Sequence, residues 1–132
     1  MGLKLLVYER NLLGKKRNKK ILGEIHLSDK VETFIFGRND MTRDFFKRID
    51  DYAYIQEKQG TFLKDHEGYK FIDTSKKGIL LRTHFSFWIF DFGEKETLFE
   101  RSATLIEVGD QIVSRPENNP KKDLVLEVMD IY

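Results

Sequence analysis

Apolar residues in this chain recur mostly at every second position, in short runs broken by glycine, proline or charged residues. LKLLVYE (3–9), KILGEIHL (20–27) and VETFIFG (31–37) are the first three runs, and Ser28-Asp29 supplies turn chemistry between the last two. DYAYIQE (51–57), GYKFIDT (68–74), GILLRT (78–83), HFSFWIFDF (84–92), ATLIEV (103–108), DQIVS (110–114) and DLVLEVMDIY (123–132) follow. In GYKFID, Tyr69 and Phe71 share one strand face while Lys70 and Ile72 take the other. The last run places Leu124, Leu126 and Val128 together. Helix is nearly absent, because TRDFFKRID (42–50) is long enough for one turn at most. About ten short strands without helical crossovers predict an all-β fold of antiparallel sheets packed face to face.

Two polar interruptions, KKRNKK (15–20) and RPENNPKK (115–122), are expected to be inter-strand loops. Pro116 and Pro120 support that placement, since proline cannot donate to a sheet ladder. With 132 residues and no internal repeat, one domain over 1–132 is expected, large enough to bury a core without metals or disulfides. The chain has no cysteine, which removes thiol chemistry. Its 23 basic and 22 acidic residues leave a formal charge of +1, so attraction to nucleic acid would need a local basic patch. No apolar run reaches the roughly 18–20 residues of a membrane span, and MGLKLLVYER does not have the form of a signal peptide. The expectation is a cytoplasmic domain without membrane contact.

Catalytic chemistry finds little footing. His26, His66 and His84 are too far apart in sequence to form a ligand pair, and His66 sits in LKDHEG between two acids, as a solvated turn would. His84 and Asp91 share a run, without a third partner. Asp50 and Asp51 are adjacent, and on a strand they would point to opposite faces. There is no glycine-rich phosphate loop and no nucleophile elbow. A non-enzyme without cofactor or metal is expected.

VETFIFGRNDMTRD (31–44) raises a different chemistry. A strand runs into Gly37-Arg38, and the planar donor fork of arginine suits a phosphate or carboxylate. The competing reading is a structural ion pair from Arg38 to Asp40 or Asp44. Three further stretches follow in order: IDDYAYI (49–55), Tyr69-x-Phe71-x-Asp73-x-Ser75 with Gly78 after it, and Leu105 through Gly109-Asp110-x-Ile112. In order and spacing, this set resembles the forkhead-associated (FHA) domain across essentially the whole chain. That family is an eleven-stranded β-sandwich whose loops at one end recognise phosphothreonine peptides.

The resemblance implies a site as well as a fold. Arg38 matches the arginine that contacts the phosphate or supports its loop, and Gly37 matches its neighbour. The family's Ser-x-x-His falls on Ile49 and Tyr52, and its Asn-Gly-Thr on Lys77-Gly78-Ile79. Isoleucine cannot donate to a phosphate, and lysine replaces the asparagine that grips the peptide backbone. Hydrogen bonds to charged groups contribute roughly 1.5–3 kcal/mol each, so losing two weakens conventional phosphothreonine recognition about a hundredfold or more. A basic rim of Arg38, Arg43, Lys47, Arg48, Ser75, Lys76 and Lys77 is the expected partner site, with Gly37, Tyr52, Asp73 and Gly78 shaping the loops. Asp40, Asp44, Asp50 and Asp51 lie among these cations in sequence and offset them.

A second candidate surface is RTHFSFWIFDFGEKETLFERS (82–102). Phe85, Phe87 and Ile89 share strand parity, as do Trp88, Phe90 and Phe92, so a continuous strand here would be apolar on both faces. Burial in the core is one reading, and a partner surface formed by Phe85, Phe87, Trp88 and Phe90 the other. The leading expectation is therefore a non-catalytic protein-interaction module that takes a phosphorylated or acidic protein partner at a basic rim. The alternatives are binding of a nucleic-acid backbone, or a structural scaffold that oligomerises through 85–92.

Overall fold

The computed structural model describes residues 1–11, 18–37, 59–75, 78–87, 90–98, 102–115 and 122–132. Ten strands lie within them: β1 (Leu3–Asn11), β2 (Asn18–Leu27), β3 (Thr33–Phe36), β4 (Gly60–Asp65), β5 (Gly68–Asp73), β6 (Leu80–Phe87), β7 (Phe90–Leu98), β8 (Thr104–Leu105), β9 (Gln111–Ser114) and β10 (Lys122–Ile131). They form a six-stranded antiparallel sheet, ordered β2-β1-β10-β9-β6-β7, and a four-stranded one, ordered β3-β4-β5-β8. Among the described residues there is no helix. The expected all-β, two-sheet antiparallel architecture is the observed one.

Alternation explains how the sheets meet. Leu3, Leu5 and Val7 of β1 and Leu124, Leu126 and Val128 of β10 join Phe34, Phe36, Phe62, Tyr69 and Phe71 of the smaller sheet in one buried cluster. The Phe62 and Phe71 rings meet edge-on with centroids 5.0 Å apart. Each such side chain contributes about 1.5–3 kcal/mol by leaving water. The expected faces of β5 hold: Tyr69 and Phe71 are buried, whereas Lys70 and Ile72 are partly exposed.

The opposite face of the large sheet is also buried at its centre, where Tyr8, Val113 and Val125 form a second cluster flanked by Leu6 and Leu80. A polar chain continues it. Tyr8 donates to Glu127, Gln111 donates to the same carboxylate oxygen, and Arg10 donates to Gln111. Asp123, fully buried, accepts from Arg10 and takes a two-pronged contact from Arg115 at 2.7 and 3.0 Å, with Arg82 at 3.6 Å. A buried carboxylate is tolerated only when it is paired in this way.

Several local expectations need correction. Asn18 and Lys19 belong to β2 and not to a loop, because they pair with Asn11 and Arg10. GTFLKD, absent from the expected strands, is β4, and the turn expected over LKDHEG shrinks to Asp65–Gly68. ATLIEV yields only the two-residue β8. GILLRT and HFSFWIFDF are not separate strands: β6 runs through to Phe87, and a new strand starts at Phe90. The parity expected across 85–92 therefore breaks at 88–89, and Phe87 pairs in register with Phe90. The expected strand at 51–57 and the turn at 42–50 lie outside the described residues.

Candidate functional site

The candidate site is built from strand ends. Phe36 of β3 pairs with Gly60 of β4, which pairs with Asp73 of β5. One step beyond, the Gln59 amide donates to the Phe36 carbonyl at 2.8 Å, and the Thr74 amide donates to the Gln59 carbonyl. Gln59 is itself buried, and its side-chain amide reaches Ser114 Oγ at 3.4 Å, tying the small sheet to the end of β9. The chain thus leaves β3 at Gly37, re-enters at Gln59 and leaves β5 at Asp73, all at one end of the two-sheet stack.

Asp73 organises the chain leaving β5. Its Oδ1 accepts from the Ser75 amide at 2.8 Å and the Ser75 hydroxyl at 2.6 Å, while Oδ2 accepts from the Ile79 amide at 3.0 Å. The Ser75 hydroxyl in turn accepts from the Gly78 amide. Gly78 has φ +94°, in the region that glycine occupies without strain. Asp, Ser and Gly at this spacing therefore tie Ser75 to Gly78 and Ile79 through one carboxylate and one hydroxyl. Gln59, Asp73, Ser75 and Ile79 are all buried, so the base of the site is rigid by packing as well as by hydrogen bonding.

The residues singled out in the sequence divide accordingly. Gly37 is buried at the end of β3, Asp73 accepts from the Ser75 and Ile79 amides, and the Gly78 amide donates to Ser75 Oγ. Ser75, expected at the rim, is buried, and its hydroxyl is engaged with Asp73 and Gly78 inside the loop. Arg38, Arg43, Lys47, Arg48, Tyr52, Lys76, Lys77 and Trp88 lie outside the described residues. Phe85 and Phe87 lie on β6 and Phe90 on β7, the edge strand of the large sheet. Gln59 was missed because an isolated glutamine carries no pattern; only the register across β3, β4 and β5 reveals its position.

The other titratable candidates do not converge. His84 pairs in register with Glu94, while Asp91 pairs with Ser86. His66 is on an exposed turn with its ring 3.7 Å from Glu67, and His26 contacts the exposed Glu24. Among the described residues no group of three or more His, Asp or Glu could hold a metal ion. At the far end of the stack, Glu107 to Asp110 forms a turn in which the Asp110 carboxylate accepts from the Glu107 amide at 2.8 Å. Burial pushes the Asp110 carboxyl up from its ordinary value, partly offset by that hydrogen bond. No protein-family model, curated protein or solved structure matches the chain.

Proposed function

We propose that the chain is a non-catalytic interaction module, an FHA-like sandwich whose loop end receives a phosphorylated or acidic protein segment. The observation that carries this reading is the shared exit point. The connection that begins with Arg38 follows the end of β3, and the segment that contains Lys76-Lys77 follows the end of β5, the two strands that flank β4 in the four-stranded sheet. Sheet neighbours lie about 4.8 Å apart, so the two exits are separated by about 10 Å, within the width of one short peptide. The Asp73-centred loop supports the reading too, because it gives the site a fixed base on which long cationic side chains can act.

Titration of fluorescent peptides carrying phosphothreonine, phosphoserine or Asp-Glu tracts tests it. Binding by at least one class, weakened about tenfold by Arg38→Ala, is the expected result, since removing a guanidinium from an anion contact is worth roughly 1.5–3 kcal/mol. No measurable binding to any class, or binding indifferent to Arg38→Ala, contradicts it.

A further inference from the structure

We infer that the outward face of the four-stranded sheet is a homodimer interface, on which a second copy of this chain seats the same face. The inference concerns a face of the sheet, not its loop end, and does not depend on the reading above. Register fixes what that face carries. Phe34, Phe62 and Phe71 align across β3, β4 and β5 and are buried in the core, so the rows on either side of them point outward. One row is Ile35, Thr61 and Ile72; the other is Thr33, Leu63, Lys70 and Leu105. Aliphatic side chains and threonines thus fill every position but that of Lys70. Leu63 stands diagonally from both Ile35 and Ile72, and Leu105 diagonally from Ile72, so the aliphatic positions adjoin one another across the sheet. Ile35 is 38% exposed and Leu105 45%, while Leu63 and Ile72 are partly exposed. Leu105 also leans toward Gly68, where a Cβ would stand 3.5 Å from its Cδ1, so the apolar surface continues over that glycine.

The charges around this face suit a copy of itself. Lys70 is held by Asp65 at 2.8 Å and Glu67 at 3.2 Å from its own turn, so covering it requires no opposite charge from a partner. Lys64 turns its ammonium to the carbonyls of Met1 and Asp29. Glu32 and His66, the latter beside Glu67, are exposed at the β4–β5 turn end of the sheet and border the two rows without entering them. Such a face meets no like charge on its own copy and offers nothing to select an oppositely charged partner. The outward positions of β1 and β2 on the larger sheet are built differently, since Lys4, Glu24 and His26 meet there in exposed ion pairs.

Size sets the strength. At about 4.8 Å per strand and 3.3 Å per residue, four strands of six residues or fewer present about 400 Å² or less. A standard interface takes about 800 Å² from each partner. The dimer is therefore weak, forming at concentrations on the order of 100 µM and separating on dilution.

Sedimentation velocity over concentrations from about 5 to 500 µM tests the inference. The sedimentation coefficient is expected to rise with concentration from that of a monomer to that of a dimer. Ile35→Glu and Leu105→Asp, made separately, each place an unpaired charge in the interface and should weaken dimerisation about tenfold or more. Ile21→Glu, at a position 55% exposed on the larger sheet, should leave it unchanged. Methyl cross-saturation between labelled and unlabelled copies of the unmodified chain locates the contact whether or not a variant folds. Transfer is expected at Ile35, Leu63, Ile72 and Leu105. A monomer at every concentration overturns the inference. So does a dimer that tolerates both substitutions, is broken by Ile21→Glu, or shows transfer at methyls of the larger sheet instead.

Discussion

At the scale of single residues, Asp73 matters most to the site. Its carboxylate satisfies two buried backbone amides and one hydroxyl. Asp73→Ala leaves the Ser75 and Ile79 amides without an acceptor in a buried loop, which should destabilise the protein by about 2–4 kcal/mol. Asp73→Asn keeps one acceptor oxygen and should destabilise it less. Urea unfolding measures the difference, and hydrogen exchange at Ser75 and Ile79 should accelerate first in the alanine variant. Asp110 and Asp65 give a paired test of charge. Burial raises the Asp110 carboxyl, so the native state holds that proton more tightly than the unfolded chain, and stability falls as pH rises through the folded value. Asp65 is shifted down, chiefly by its hydrogen bond from Lys70 and also by the Glu67 amide, so its contribution is present above the ordinary value and fades as pH falls. Relative to the parent, as pH rises from below the ordinary carboxylate range to above it, Asp110→Asn should gain stability while Asp65→Asn should lose it. Denaturant melts across that range check both signs.

At the scale of elements, strand existence was more legible than strand division. The alternation in β1, β5 and β10 is strong because each puts three or two large apolar side chains into the common core at period two. β4 escaped because only Phe62 in GTFLKD is a buried large side chain, and its first residue is a glycine. That glycine is dictated by packing across the strands: a Cβ on Gly60 would stand 2.1 Å from the Phe71 ring. Gly60→Ala should therefore destabilise the protein by about 1–3 kcal/mol by overpacking, read as a lower midpoint in thermal unfolding. A parallel Gly109→Ala change meets no neighbouring atom and is strained only by its φ of +96°, so it separates backbone strain from collision. The reversal between β6 and β7 was hidden for the converse reason. Five aromatic residues fall between positions 85 and 92 (Phe85, Phe87, Trp88, Phe90 and Phe92), with no glycine or proline to mark a turn.

At the scale of the whole molecule, the sequence announced two packed antiparallel sheets, and Asp73 and Gly78, singled out in it, meet around the Ser75 hydroxyl. It did not announce the Asp123 network, because Arg10, Arg82 and Asp123 lie on three strands, Arg115 follows the end of β9, and only the sheet order joins them. The two ends make the central claim directly testable. Amide chemical-shift mapping by NMR during titration with phosphothreonine, phosphoserine and Asp-Glu peptides should move Gly37, Gln59, Ser75 and Gly78 and leave Glu67, Val108 and Gly109 in place. Shifts confined to residues 65–68 and 106–110, or no shifts at saturating peptide, would contradict a binding site at the loop end.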